Sequence, residues 1–554
     1  MRAHVVLLAL AVAACTSSGD TASSRGPDSA SVVAEAYDLL ITGGTVIDGT
    51  GSPGVRADVG VRGDRIVRVS TTALPTADAA RVIDATGLVV SPGFIDLHAH
   101  LDPLLRLPEA ESAVRQGLTT SLGGPDGGSP FPLAPYLDSA GKLGVGMNVA
   151  FLAGHNTIRS EVMGRANRAP TAAELARMQA MVAQAMGEGA WGLSTGLKYI
   201  PGAYSRTPEV VALARVAADS GGIYTSHLRE EGLGLIEGVG EAIRIGRESG
   251  IPIVLTHHKV VGKPMWGASV RTLAMVDSAR ADGVDVMMDQ YPYTATYTGI
   301  SILVPAWAMA GGNDEFRKRV NDPALRDSIL REIVFNLEND RGGGDLSRVQ
   351  LARVAWQPDL EGRTLRDWAV ERGLPPTLET GAQLVVDAML KGGASAIYHV
   401  LEEDDVERIM RHPQTMIASD GRLTAPGEGH PHPRWYGTFP RVLARYVRER
   451  GVLTLPQAVH KMTGQPAARL GLRDRGTLVE GAYADITIFD PATVADRATF
   501  EDPHQYPDGI PYVIVNGTVA VDGGRFVGVR AGRVLRRGVD GIPVGTSVAG
   551  GAGR

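Results

Sequence analysis

The sequence predicts an α/β protein, a (β/α)8 TIM-like barrel joined to a small β domain assembled from both ends of the chain. Three observations carry this expectation. From about Phe94 to Leu472 short apolar strands alternate with helical stretches, and repeated β–α alternation implies a parallel sheet that closes into a barrel. On either side of that region the texture is short β runs closed by Gly, Asp or Pro. The chain also carries 69 Gly and 33 Pro in 554 residues, which suits many strand–loop–helix junctions.

Composition removes other classes. With 44% apolar and 21% charged residues the chain is not largely disordered. Its 55 basic and 61 acidic residues give a net charge of -6, so no basic surplus points to a nucleic-acid partner.

The elements follow in order. Arg2 is a short basic start, Val5–Ala14 an apolar run, and Cys15 its end. The run is too short to span a bilayer and fits the hydrophobic region of a signal peptide, predicted over 1–14. AVAAC resembles the lipobox of bacterial lipoproteins, in which the Cys becomes the lipidated N-terminus; a plain signal peptide with an incidental Cys is the other reading. Thr16 is not the Asp that often retains lipoproteins in the inner membrane. The expectation is therefore an exported lipoprotein, lipidated at Cys15 and anchored in the outer, or else the inner, membrane facing the periplasm. No second cysteine exists to form an internal disulfide. Residues 15–36, rich in Ser, Asp, Gly and Ala, read as a flexible tether.

YDLLITGGTVIDGTG, ADVGVRGDRIVRVS and ARVIDATGLVVSPG supply the first part of the β domain, over 37–92. Runs such as GMNVAFLAG, TAAELARMQAMVAQAMGEG, AWGLSTGL, TPEVVALARVAADSG and GIYTSHL build the barrel over 93–472. Within it, about 304–363 is more charged and reads as a helical insertion. GTLVEGAYADITIFDP and PYVIVNGTVAVDGGRF return to β texture over 473–535, and 536–554 is left as a C-terminal tail.

The chemistry-bearing residues fall at strand ends, where barrel active sites collect. In FIDLHAH, His98 and His100 are two apart, share one face of a strand, and form a natural pair of zinc ligands. IYTSHLREEG offers His227, IPIVLTHHK offers His257 and His258, and TMIASDGR offers Asp420. Adjacent strand residues face opposite sides, so only one of His257 and His258 can look into the barrel. AWGLSTGLKYIPG places Lys198 where a strand finishes, with a snorkelling surface lysine as the plainer reading.

FIDLHAH, GLSTGLKYIPG, SHLREEG, THHK, DQYPYTA, ASDG, PHPRWYGTFPR and KMTGQPAARLGL together resemble the amidohydrolase superfamily, and specifically its N-acyl-D-amino-acid deacylase (D-aminoacylase) branch. The likeness runs from about Tyr37 to Gly524. It implies a metal-bearing barrel with a small β-sandwich built from both chain ends. It also implies that His98 and His100 bind one metal, that His227 and His257 bind a second, and that Asp420 is the general acid/base. His258 keeps a structural role. Two departures stand out. The resembled enzymes carry a metal-binding Cys in a GNCG loop where this chain has GPDG, with Asp126 at that place as an alternative ligand. Conversely, Lys198 stands where those enzymes have an apolar residue, and binuclear relatives bridge two metals with a carboxylated Lys. A carbamate on Lys198 would restore the lost thiolate charge and span two cations about 3.5–4 Å apart. The expectation is one or two zinc ions, binuclear through Lys198, with manganese or cobalt as substitutes.

The resemblance implies hydrolysis of N-acyl-D-amino acids to a carboxylic acid and a free D-amino acid. Lys259, Tyr291 and Arg434 match carboxylate-binding positions, Arg434 most strongly because a guanidinium grips a carboxylate with two bonds. Tyr199 would assist at the carbonyl oxygen or simply wall the pocket. His155 would line the pocket, His430 and His432 would belong to a lid, and Asp96 would orient a loop. A dipeptidase acting on C-terminal D-residues, or another cyclic or linear amidohydrolase, uses the same machinery. A catalytically silent binding lipoprotein fits less well, because its ligands would be lost and here they are present.

Overall fold

The computed structural model describes residues 36–541. The predicted signal peptide, Cys15, nearly all of the tether, and 542–554 of the predicted tail lie outside the described residues.

Eight parallel strand positions close into a ring. Phe94–Asp96 pairs with Leu118–Gly123, which pairs with Asn148–Phe151. That third strand resumes as Ala153–Gly154, from which Gly192–Gly196, Ile223–His227, Ile253–Leu255, Val286–Gln290 and Thr415–Ile417 follow, each parallel to the one before. The eighth strand resumes as Gly421–Arg422, pairs with Ala99–His100 and shuts the barrel. Alternation along each strand sorts side chains between two apolar layers. Val254 joins the barrel interior with Ile95, Leu122, Ile223 and Met287, while its neighbours Ile253 and Leu255 pack outward against the helices. Helix ends are written locally: Thr171 and Glu174 form a capping box on Ala172–Gly187, and Gly250 ends Leu235–Ser249 in the left-handed conformation.

The β domain is one nine-stranded sheet drawn from both ends of the chain. Its halves meet where Val89–Pro92 pairs antiparallel with Ile486–Phe489, over a core that includes Ile41, Val59, Val90, Ile488 and Ile514. The residues beyond it do not hang free: Trp191 Nε1 donates to Leu535 O at 3.1 Å, and the short helix Arg537–Asp540 follows directly.

The insertion between the seventh and eighth strands is larger than the charged stretch 304–363. It holds a three-stranded antiparallel sheet of Thr296–Gly299, Ser395–Tyr398 and Val349–Arg353, with helices such as Pro323–Asn339 and Leu378–Leu390. It also has its own core, including Ile333, Leu351, Trp368 and Tyr398. Its first and last strands, TYTG and SAIY, are short and uncharged, so composition marked only the charged middle. Among the described residues no helix is long and apolar enough to cross a membrane.

Candidate active site

The first barrel strand breaks after Asp96 and resumes at Ala99, and the bend turns His98 and His100 toward the barrel axis. Asp96 fixes the bend. Its Oδ1 accepts from His98 N and from Ser419 N, each at 3.0 Å, and its other oxygen accepts from the Ser419 hydroxyl. Burial raises its pKa to about 6 against these hydrogen bonds. Asp96 thus ties the first strand to the eighth.

Asp126 stands in the loop after the second strand, with φ of 53°. Its Oδ1 is 3.5 Å from both His98 Nε2 and His257 Nε2, and its Oδ2 is 3.8 Å from His100 Nε2 and 3.7 Å from His227 Nδ1. One carboxylate therefore faces four histidines. Burial works against its charge, but His98, His257 and His227 hold it well below the usual carboxylate range.

His227 ends the fifth strand and His257 follows the sixth, and His227 Nδ1 lies 2.7 Å from His257 Nε2. His257 has φ of 38°, a conformation held by its N–H donating to Asp289 Oδ1 at 2.6 Å. Behind both rings sits Glu231, 3.1 Å from His257 Nδ1 and 3.5 Å from His227 Nε2. Lys259 Nζ donates to Glu231 Oε1 at 2.5 Å, and Arg341 Nη2 to Oε2 at 2.9 Å.

Asp420 stands in the break of the eighth strand, just before it resumes at Gly421, with φ of 47° and its N–H donating to His98 O at 2.9 Å. Its Oδ1 is 3.2 Å from His100 Nε2, 3.6 Å from His98 Nε2 and 3.0 Å from Arg434 Nη2. Burial raises its pKa, but Arg434 and His98 more than offset that and hold it ionised. Asp126, His257 and Asp420 all occupy the left-handed region, which costs non-glycine residues about 1–3 kcal/mol each and clusters at functional sites.

The donor set fits a metal. His98, His100, Asp126 and Asp420 form one group of ligand atoms within 4.8 Å of one another, and Asp126, His227 and His257 form another. Asp126 belongs to both. Buried polar atoms are nearly always hydrogen-bonded, yet His98 Nε2 and Asp126 Oδ1 have no hydrogen-bond partner and face each other. Imidazole nitrogens with carboxylate oxygens are the donors zinc takes.

A model of the amidohydrolase family matches residues 81–237 and 322–521. This chain belongs to that family. It is 39% identical over 525 residues to a D-aminoacylase of Alcaligenes xylosoxydans xylosoxydans, covering 90% of this chain and 98% of that one. It is also 39% identical over 529 residues to an N-acyl-D-glutamate deacylase of the same organism, covering 91% and 97%. The crystal structure of a D-aminoacylase superimposes with a TM-score of 0.77 at 39% identity, covering 90% of this chain and 100% of that one. The N-acyl-D-glutamate deacylase from Bordetella bronchiseptica, solved with zinc and a phosphonate inhibitor that mimics the tetrahedral intermediate, gives 0.76 at 37% identity, covering 90% and 99%.

Within this amidohydrolase, a cavity of about 260 Å³ opens over the cluster, lined by His100, Asp126, His227, His257 and Asp420. Tyr199, Lys259, Tyr291 and Arg434 line it too, and His98 lies buried beside Asp126 and Asp420. Tyr199 packs its ring 4.4 Å from that of His227, and its hydroxyl accepts from Thr298 at 3.2 Å. Burial and the charges of Asp126 and Glu231 push its pKa well up, so it stays a donor.

Lys198 is not brought to this cluster, which corrects the expected carbamate bridge. The fourth strand ends at Gly196, and Lys198 lies in the turn beyond it, its Nζ donating to Glu230 Oε2 at 2.7 Å. It lines a neighbouring cavity behind Tyr199 instead. Asp126, the alternative ligand, occupies the shared position. Other histidines are structural: His258 donates to or accepts from Thr272 at 2.8 Å, burial pushing its pKa down to about 3, and His155 pairs with Glu209. His432 is buried, its ring joining Ala295 O and Arg434 N at 3.0 Å each, so it anchors Arg434 rather than serving a lid. The residues missed by sequence reasoning are Glu231, Asp289 and Arg341. Glu231 follows His227 by one helical turn's spacing within SHLREEG, a readable signal; Arg341 comes from the insertion, where nothing local marks it.

Proposed function

We propose that this amidohydrolase cleaves the amide bond of N-acyl-D-amino acids, releasing a carboxylic acid and a D-amino acid. One observation carries the reading: Asp420 and the Asp126–histidine cluster share a cavity with a buried guanidinium, that of Arg434. The D-aminoacylase and N-acyl-D-glutamate deacylase relatives support it. His98, His100, Asp126, His227 and His257 would hold zinc, at two positions sharing Asp126, and a bound ion would polarise the carbonyl and lower the pKa of water.

The chain's own groups do the rest. Arg434 Nη1 and the Tyr291 hydroxyl, both buried without a partner and adjacent, with the guanidinium 4.5 Å from the Tyr291 ring, receive the substrate carboxylate. Asp420 takes a proton from the attacking water as the C–O bond forms, then delivers it to the amide nitrogen as the C–N bond breaks. Tyr199 donates to the carbonyl oxygen as it gains charge. Lys259 is committed to Glu231 and His257, so its contribution to the substrate is through the field it sets.

The test is amine release by the purified protein, supplied with zinc, from matched N-acetyl-D- and N-acetyl-L-amino acids. Turnover of the D series supports the reading, and turnover confined to the L series or to dipeptides overturns it. We further propose export as a lipoprotein through Cys15, supported by Arg2 and the apolar run Val5–Ala14.

A further inference from the structure

We infer that the D-amino acid released carries an uncharged side chain, not an acidic one. This rests on the deacylase reading and names the substrate class within it. Relatives named for D-glutamate and for unspecified D-amino acids are equally similar to this chain, so overall likeness does not decide between them.

The cavity's charges decide. Four cations line it, and each already faces a carboxylate of the protein. Lys259 and Arg341 meet Glu231 at 2.5 and 2.9 Å, Arg434 meets Asp420 at 3.0 Å, and Arg422 at the mouth meets Asp102 at 3.5 Å. Arg341 Nε, which makes no hydrogen bond, faces Asp340 Oδ1 at 3.9 Å. Among the described residues, the cationic donor of the buried lining left without a partner is Arg434 Nη1, beside the Tyr291 hydroxyl, which suits one carboxylate; the other partnerless donors of the lining, Thr296 Oγ1 and Trp435 Nε1, are neutral. An N-acyl-D-amino acid with a neutral side chain brings one. An acidic substrate brings a second, for which the described lining offers no lysine or arginine without a carboxylate of its own, and a desolvated anion lacking a counter-charge is costly.

The walls agree. The substrate Cα is one bond from its carboxylate, so its side chain starts beside Arg434. The guanidinium there lies 4.5 and 6.0 Å from the Tyr291 and Tyr297 rings, and Tyr297 packs edge-on against Trp435 at 5.1 Å. A side chain leaving that point meets aromatic surface, suited to apolar and aromatic groups.

The experiment compares kcat/KM of the zinc-loaded protein for N-acetyl-D-leucine and N-acetyl-D-phenylalanine with N-acetyl-D-glutamate and N-acetyl-D-aspartate, with L-enantiomers as controls. The neutral D substrates should lead by about 10- to 100-fold, the penalty for an unpaired buried polar group. Equal or faster turnover of the acidic D substrates overturns this inference and leaves the deacylase reading standing. Turnover of no D substrate overturns that reading, and this inference falls with it. Asp102→Asn gives a second measure: by leaving Arg422 unmatched it should raise the acidic-to-neutral ratio by about two- to fivefold, the scale of an exposed pair. An unchanged ratio overturns the charge-matching account.

Discussion

Glu231 stands directly behind His257: its Oε1 is 3.1 Å from His257 Nδ1, while Nε2 of the same ring faces Asp126 at 3.5 Å. The same carboxylate reaches His227 Nε2 at 3.5 Å, so one buried acid backs two histidines of the cluster. Burial opposes its charge, but His227, Lys259 and His257 keep it ionised well below the usual range. A carboxylate behind a ligating histidine fixes ring orientation and raises ligand basicity. Glu231→Gln should weaken zinc binding by about 10- to 100-fold in a chelator competition titration. Unchanged affinity would remove Glu231 from the ligand support.

In the proposed mechanism Asp420 transfers the proton, and with His98, His100 and Asp126 it also belongs to one group of ligand atoms. Asp126 supplies the carboxylate common to both groups. Asp420→Asn should therefore keep most bound metal while kcat falls by about 10²- to 10⁴-fold, the usual range for a general acid/base. Metal analysis beside steady-state kinetics separates the two effects, and near-normal turnover would end the assignment.

Lys198 yields the opposite expectation from the one its strand-end position suggested. Paired with Glu230 and turned from the cluster, it has no ligand to supply. Lys198→Ala should retain the metal of the parent protein, with kcat/KM within about fivefold, as for loss of a partly exposed pair. Loss of metal on this substitution would restore the carbamate bridge.

Why the sequence told so much here and misled there is a matter of range. Strand periodicity is local, so FIDLHAH, IYTSH and IPIVLTHH announced both their strands and the histidines at their ends. Alternation said that only one of His257 and His258 could face the barrel, the family resemblance singled out His257, and His258 does turn away to Thr272. Lys198 looked equivalent because a motif does not say where hydrogen bonding stops; the strand ends two residues earlier. Arg341 was invisible for the reverse reason. Nothing in its neighbourhood marks it, and it meets Glu231 only because the insertion folds back over the barrel mouth.

Cys15 carries a prediction about address. If the apolar run and Cys15 direct lipidation, the mature protein begins at that residue, partitions into detergent with the membrane fraction, and gains the mass of a diacylglyceryl and an acyl chain. Cys15→Ser should leave the protein unlipidated and change that partition. A parent protein recovered wholly in the aqueous phase, with an unmodified N-terminus, would indicate a plain signal peptide.

Acid should expose a second buried carboxylate. Glu209 accepts from Arg159 Nη1 at 2.7 Å and lies 2.9 Å from His155 Nε2, with all three side chains buried. Burial raises its pKa, yet the His155 and Arg159 interactions win and leave it lowered. A carboxyl whose folded pKa is depressed binds fewer protons folded than unfolded as pH falls. Its stabilisation is thus full above the unfolded value of about 4.3 and is lost as pH drops through the folded value. Glu209→Gln leaves Arg159 buried without its counter-charge and should cost about 3 kcal/mol at neutral pH. Urea unfolding from pH 7 to pH 3 should show the parent's advantage over the variant constant down to about pH 5 and shrinking below it. An advantage that persists undiminished at pH 3 would mean that the ion pair is not what Glu209 contributes.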